Sequence, residues 1–292
     1  MNYNLDDFFI NEPDKSPDKS IEEKKSIIND MVSTLNYEQL SQVINFLKEP
    51  FFTHKLKEYL LDSKLPPVES KEFLFLVQSE KYNGNIVKKL MNKAGISDYY
   101  LDKFIHKYKL QEISNNTYIF PHKSLDAPFV FQAQYSRAVI SHESALYMLN
   151  LTDVISRRTI MSMPKNYNFS QLEKKANHAI KIHSEVYNNN KSLVFTYSKN
   201  DPILLTKNDP IGNSQIVMRS TNNNNLVQVT SAERTIADIL TPNSKTEEEV
   251  KYEALRQYYA LYPRDSKRLR RIAYQQGVLE ELDKYMWELQ LH

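Results

Sequence analysis

The sequence predicts an α+β protein: an N-terminal helical extension, a run of three short helices closed by a β-hairpin, and a mixed α/β C-terminal region. Three observations carry this. Between Ser70 and Phe120 the apolar period is helical three times and then alternates. Only four glycines punctuate the 292 residues, and Gly84 and Gly95 fall between the predicted helices of that run. After Pro121, short β-branched runs interleave with capped helical segments.

Residues 1–19 are polar, carry Pro13 and Pro17, and read as a flexible tail. Residues 20–66 read as an acidic helical module. Ser20-Ile21-Glu22-Glu23 has the form of a capping box, in which a Ser caps the backbone and a Glu three residues on reaches back. Further amphipathic runs cover Tyr37 to Leu47 and Phe51 to Leu61, interrupted by Pro50, and Leu65-Pro66-Pro67 reads as a rigid linker.

Residues 67–123 form the next predicted domain. Ser70 caps a helix whose apolar positions are Phe73, Leu74, Leu76 and Val77. Asn83-Gly84-Asn85 is a turn, and a second helix spans Ile86 to Lys93 with Val87, Leu90 and Met91 inward. Gly95 ends it, as a residue in the left-handed conformation does. Ser97 caps a third helix, Asp98 to Tyr108, with Leu101, Phe104, Ile105 and Tyr108 on the buried stripe. Leu110 to Ile113 and Thr117 to Phe120 then flank Ser114-Asn115-Asn116 as a hairpin. Helix, turn, helix, tight turn, helix, hairpin is the order of a winged helix-turn-helix.

Residues 124–292 read as one α+β domain. A helix opens at Ser141-His142-Glu143-Ser144, and a strand runs from Thr159 to Met163 before Pro164. Strands are expected over 178–187 and 191–197 around an Asn-rich turn, then over 203–205, 216–218 and 226–229. Capping boxes at Thr230–Glu233 and Thr246–Glu249 open two helices, and a last helical pair covers about 266–275 and 278–289.

Composition narrows the function classes. No cysteine is present, which removes disulfides, thiol nucleophiles and thiolate metal sites and fits a reducing cytoplasm. The acidic start, Met1 to Asp7, lacks an apolar signal core, and no stretch reaches the ~18 apolar residues a membrane helix needs, so a cytoplasmic protein without a membrane partner is expected. The four glycines lie far apart, so no Gly-rich phosphate loop can form. The net charge of +2 is uneven: residues 1–70 carry 13 acids and 8 lysines (−5), residues 71–123 carry 9 lysines and 5 acids (+4), which leaves +3 for the remainder. A polyanion site on the middle segment is the functional reading of that asymmetry.

The candidate sites follow. Beside its apolar stripe the third helix carries Tyr99, Tyr100, Lys103, His106 and Lys107, the face that a winged helix-turn-helix lays into the major groove. Lys109, Asn115 and Asn116 belong to the wing. Arg264, Lys267, Arg268, Arg270 and Arg271 place five cations in eight residues, a candidate surface for a phosphate backbone or an acidic protein. Ser141, His142 and Glu143 suggest catalysis, but neighbours on one helix diverge, and a helix cap accounts for them. His178 and His183 lack an acidic companion at metal spacing, so no metal site is expected. Glu233 and Asp238 on one helix leave a nuclease-like carboxylate pair open, against a cap and a surface acid.

A family resemblance rests on short motifs in a fixed order. Gly95-Ile96-Ser97 before the third helix and Tyr118-Ile119-Phe120-Pro121 at the end of the hairpin resemble the winged N-terminal domain of AbiEi-type antitoxins. Ala138-Val139-Ile140-Ser141-His142-Glu143-Ser144-Ala145-Leu146, Leu149-Asn150-Leu151-Thr152, Met163-Pro164 and Val229-Thr230-Ser231-Ala232-Glu233-Arg234-Thr235-Ile236-Ala237-Asp238 resemble the region that follows in that family. The resemblance covers about 70–290; the module at 20–62 is outside it, and Asn116-Thr117 stands before the wing tyrosine where the family often has glycine. It implies an antitoxin of a type IV toxin–antitoxin system acting in abortive infection, a phage defence. Such a protein represses its own operon by binding operator DNA at inverted repeats, and opposes a nucleotidyltransferase-like toxin without forming a stable complex with it. It is not an enzyme and takes no cofactor. A ligand-sensing transcriptional regulator with the same winged domain is the alternative.

Overall fold

The computed structural model describes residues 66–67, 70–170, 172, 181–197, 201–242, 244–262 and 266–291. The chain divides into two compact units, Met1–Glu58 and Tyr59–His292, and all of these residues belong to the second. The tail expected at 1–19 and nearly all of the helical module expected at 20–66 lie outside the described residues.

Ser70 accepts the Phe73 backbone N–H at 3.0 Å and starts helix α1, Lys71–Lys81. Its buried face is Phe73, Phe75 and Leu76; Leu74 and Val77, expected inward, are half-buried. The chain then departs from the expected second helix. Asn85–Val87 is a strand, β1, and helix α2 is only Lys88–Lys93. The physical reason is pairing: Asn85, Ile86 and Val87 stand opposite Ile119, Tyr118 and Thr117, and two β-branched residues suit a buried pleat better than a helix start. Helix α3, Asp98–Lys107, follows. Strands β2, Gln111–Ser114, and β3, Thr117–Ile119, complete a three-stranded antiparallel sheet in the order β1-β3-β2. Ser114 pairs with Thr117, so the hairpin turn is Asn115-Asn116, with Asn116 at φ +61 in the left-handed region that Asn tolerates. Between α1, α3 and the sheet an aromatic core packs Phe75 against Phe104 at 4.9 Å and Tyr108 against Phe120 at 5.6 Å, both pairs tilted.

The rest is a seven-stranded mixed sheet with helices. Asp126 caps α4, Ala127–Gln134. The strands are β4 (Val139–Ile140), β5 (Thr159–Pro164), β6 (Lys181–Tyr187), β7 (Asn190–Thr196), β8 (Pro202–Asn208), β9 (Ile216–Ser220) and β10 (Leu226–Thr230). Their order is β6-β7-β8-β5-β4-β10-β9, with β5–β8 and β4–β10 parallel. Helix α5, His142–Met148, follows β4. Helix α6, Ala232–Ile239, has all eight residues buried and packs on α5, on α7 (Glu248–Leu261) and on α8 (Ser266–Gln275); α9 (Leu279–Glu288) packs on α8. The fold is therefore mixed α+β, with helices dominating the N-terminal part and the large sheet the C-terminal part. One apolar cluster runs from Val87 through Phe129, Phe195 and Ile236 to Tyr285.

Two expected capping boxes take other forms. Ser231, not Thr230, caps α6: its Oγ accepts the Arg234 N–H at 3.4 Å and donates to Glu233 at 2.7 Å. Glu247 is the N-cap of α7 and makes no side-chain cap bond, while the Thr246 hydroxyl donates to Glu143 instead, at 2.6 Å. Among the described residues no helix is long and apolar enough to cross a membrane.

Candidate nucleic-acid interface

Helix α3 is two-faced. Leu101, Phe104 and Tyr108 bury one side, with Ile105 half-buried. Tyr99, Tyr100, Lys103, His106 and Lys107 are exposed on the other. Tyr99 is 72% exposed and meets Tyr100 edge-on at 5.3 Å. Tyr100 rests on Phe104 at 6.1 Å, so this ring is anchored while its outer edge stays in water. Lys109, held at φ +50, and the turn residues Asn115 and Asn116 are exposed as well. All eight residues read from the sequence therefore lie at the surface, five on one helix and three around the hairpin.

The framework sets the charge of this surface. Asp102, exposed on α3, and Asp98, at its start, would each repel a polyanion, and the framework answers only Asp98. Lys88 of α2 lies 2.8 Å from it and Asn92 donates to it at 3.0 Å. The Lys88 bond and then the Asn92 bond hold its carboxyl below the ordinary range, and Asp98 raises Lys88 in turn. The carboxylate thus serves as a clamp between α2 and α3, which sets the angle of α3. Lys107 is tied inward: its Nζ lies 2.5 Å from Glu72 of α1, which also accepts the Tyr108 hydroxyl. Burial alone would raise the Glu72 carboxyl, but hydrogen bonds from Lys107 and Tyr108 and the charges of Lys107 and Lys103 prevail and lower it. Lys103 is therefore the more available cation of the two.

The hairpin is held from behind. Gln134, the last residue of α4, donates from Nε2 to Ser114 Oγ at 3.3 Å, to the Asn115 carbonyl at 3.3 Å and to Thr117 Oγ1 at 2.5 Å. Sequence reasoning missed this residue. The signal was there: Ala127-Pro128-Phe129-Val130-Phe131-Gln132-Ala133-Gln134 is apolar except for two glutamines, and amides in such a setting need partners.

The second cationic site is smaller than the sequence suggests. Arg264 lies outside the described residues. Arg268 donates to the Ser214 carbonyl at 2.6 Å and lies 3.6 Å from Glu233. Arg270 makes a two-pronged contact with Asp283 of α9, at 2.5 and 3.1 Å. Lys267 and Arg271 are exposed, on the helix face that also carries Tyr274, 74% exposed.

Of the other chemistry-bearing residues, Ser141, His142 and the two carboxylates of α6 are buried, Asp238 against the expectation of a surface acid, and Glu143 is half-buried. Ser141 and His142 do meet, contrary to the expectation that neighbours on one helix diverge. Ser141 is extended and His142 sits at φ +53 before the helix becomes regular, which brings Ser141 Oγ within 2.9 Å of His142 Nδ1. Ser141 makes no side-chain cap bond; its hydroxyl also meets Ser162 Oγ at 2.7 Å. Both residues are buried, and Glu143 is occupied by the Tyr187 and Thr246 hydroxyls. Asp238 accepts from Arg234 at 2.8 Å and from Asn208 at 3.0 Å, whereas Glu233 faces Ser231 and Arg268, so the two carboxylates of α6 serve separate contacts. His183 is exposed on β6, and His178 lies outside the described residues.

No family model matches the sequence, and no curated protein matches it. Two solved chains from Helicobacter pylori are similar to part of it. One, provisionally named a nucleotidyltransferase, is 13% identical over 53% of this chain and 73% of its own, with a TM-score of 0.31. The other, JHP933, is 14% identical over 56% of this chain and 79% of its own, with a TM-score of 0.31.

Proposed function

We propose that the protein is a DNA-binding regulator of the winged helix-turn-helix kind, with α3 in the major groove and the Asn115-Asn116 turn against the adjacent backbone. The observation that carries the reading is the exposed face of α3, where Tyr99, Tyr100, Lys103 and His106 stand beside a cationic hairpin base at Lys109. The +4 charge of residues 71–123 supplies the sequence-independent attraction to phosphates, and the tyrosines supply contacts to phosphates and base methyls. Following the family resemblance, the DNA is the protein's own operator at inverted repeats, and the C-terminal region opposes a nucleotidyltransferase-like toxin in the cytoplasm, through a surface that includes Lys267 and Arg271. No residue is assigned a catalytic role and no cofactor is required.

The test is a mobility-shift titration, at several salt concentrations, on the DNA upstream of the protein's own gene. Lys103→Ala should weaken binding and flatten the log–log salt slope by about one, the value for one lost phosphate contact. Lys107→Ala should do less, because Glu72 already claims that charge. A Lys103→Ala/Lys107→Ala variant with unchanged affinity and slope removes α3 from the interface. Rescue of growth on co-expression with the toxin tests the antitoxin half separately.

A further inference from the structure

The large sheet ends at β6, which pairs on one side with β7; among the described residues no strand lies on its other side. The hairpin fixes which backbone groups point there. Asn188 and Asn189 take φ +49 and +59, the two left-handed positions of a type I′ turn, so Tyr187 and Asn190 close the hairpin as a hydrogen-bonded pair. Bonding then alternates: Lys181, His183, Glu185 and Tyr187 address β7, while the N–H and C=O groups of Ile182, Ser184 and Val186 point outward. Lys245 is consistent with this direction, for its Nζ bonds the outward Val186 carbonyl at 3.0 Å, a contact that a second strand must displace or share. The pairing of β6 with β7 is unbroken from Lys181 to Tyr187, without bulge or proline, and Val186 is 62% exposed. A regular edge of that kind is a template for another strand.

The sequence of the edge says which strand. Lys181-Ile182-His183-Ser184-Glu185-Val186-Tyr187 is self-complementary under reversal about Ser184. Turned antiparallel on itself, it sets Ile182 opposite Val186, His183 opposite Glu185 and Lys181 opposite Tyr187. We propose that β6 pairs with β6 of a second copy of this chain about a two-fold axis at Ser184, joining the two large sheets into one. Ser184 forms the central hydrogen-bonded pair, with Cα atoms about 5.5 Å apart. Ile182 and the partner's Val186 form the next such pair and cover each other's apolar surface. His183 and the partner's Glu185 fall in the closer, non-bonded position, where the imidazole adds to the pairing that Glu185 already makes with Arg158 of its own chain at 2.7 Å. A two-fold contact of this type is isologous and closes at the dimer. The proposal stands on the sheet edge and does not depend on the DNA reading.

The full chain provides a clean test because it contains no cysteine. Ser184→Cys introduces a thiol that faces itself across the axis, at a Cα spacing of about 5.5 Å that a disulfide spans. His183→Cys faces the partner's Glu185 instead and serves as the register control. Under mild oxidation Ser184→Cys should give a disulfide-linked dimer at least about tenfold more abundant than His183→Cys gives. Wild-type protein should dimerise with rising concentration in sedimentation velocity. Ser184→Pro removes an outward N–H without touching the β7 ladder, and should weaken dimerisation by about tenfold or more at unchanged circular dichroism. A wild-type chain that stays monomeric at all concentrations overturns the proposal. So does a dimer whose Ser184→Cys variant cross-links no better than His183→Cys, whatever the folding of Ser184→Pro.

Discussion

Arg234 and Asp238 allow a sharp test of what the strongest sequence motif does. Arg234 is completely buried and Asp238 is 1% exposed. The guanidinium donates from Nε to Asp238 Oδ1 at 2.8 Å, from Nη1 to the Pro210 carbonyl at 3.3 Å and to Gln215 Oε1 at 3.1 Å, and from Nη2 to the Asp209 carbonyl at 3.2 Å. Only Asp238 supplies charge. Asp238→Ala leaves a buried cation that cannot shed its proton, a loss of about 3–5 kcal/mol for this class of change. At roughly 2–4 °C per kcal/mol for a unit of this size, Tm falls by about 6–20 °C. Replacing both partners by apolar residues of similar shape, Arg234→Met with Asp238→Leu, removes the stranded charge and should cost less than Asp238→Ala alone. Scanning calorimetry together with denaturant titration followed by circular dichroism measures both variants, together with the single variants Arg234→Met and Asp238→Leu that complete the cycle. An Asp238→Ala protein within about 1 kcal/mol of wild type would show that the pair is not the local charge balance, and a double variant equal to the sum of the singles would show no coupling.

Two further outcomes follow from local geometry. Gly84 sits at φ +77, and a Cβ there would lie 2.7 Å from Lys123 Cγ, so Gly84→Ala should destabilise by about 1–3 kcal/mol in the same denaturant titration, and a neutral result would refute the strain. Glu72 is lowered from an ordinary value of 4.5, so its contribution is present above that value and fades as the pH falls through the depressed folded one; the stability gap between wild type and Glu72→Gln should shrink on acidification below about 4.5 and stay under about 1 kcal/mol, the range of a partly exposed pair. The same variant releases Lys107 and should tighten operator binding, measured by mobility shift.

The sequence read well wherever local signals and packing agreed. Ser70 caps its helix as expected, the stripe of α3 is buried, and the strands at 181–187 and 190–196 meet at the predicted Asn-rich turn. It misread what depends on distant partners. Ile86 and Val87 look like the start of a helix until Tyr118 and Thr117 arrive to pair with them, thirty or more residues later. Thr246 has a capping pattern, yet Glu143 lies close enough to take its hydroxyl. Ser141 and His142 escaped because the left-handed backbone at His142 is not encoded by residue type; the Ser162 hydroxyl and the Tyr187 ring that surround them come from other strands. The basic run at 264–271 was legible as charge but not as geometry, since the partners of Arg268 and Arg270 lie on β9's leading turn and on α9. Among the α3 and hairpin residues exposure was predictable from period, whereas the tether from Lys107 to Glu72 was not.

The boundary expected between residues 123 and 124 falls beside a polar junction, and that bears on how the two proposed activities share one chain. Asp126 donates its N–H to Asn85 Oδ1 at 3.0 Å, and its carboxylate caps α4 while accepting from Asn225 at 2.8 Å and from Thr221. Burial pushes that carboxyl upward, against the pull of those three bonds. Asn85 in turn bonds the carbonyls of Tyr82, Asn83 and Ser124, and Tyr82 stacks on Phe129 at 5.2 Å. Gln132 exchanges two 2.7 Å bonds with Gln228 of β10, and Gln134 holds the hairpin. Apolar packing alone tolerates small sliding, whereas a set of satisfied buried hydrogen bonds admits one register. Helix α4 is therefore a splint, bonded to the hairpin on one side and to β10 on the other. On the proposed reading, the DNA-facing hairpin is positioned by the C-terminal sheet, so a loosened β9–β10 turn would reach operator affinity through Asp126 and Gln134 without any change on α3.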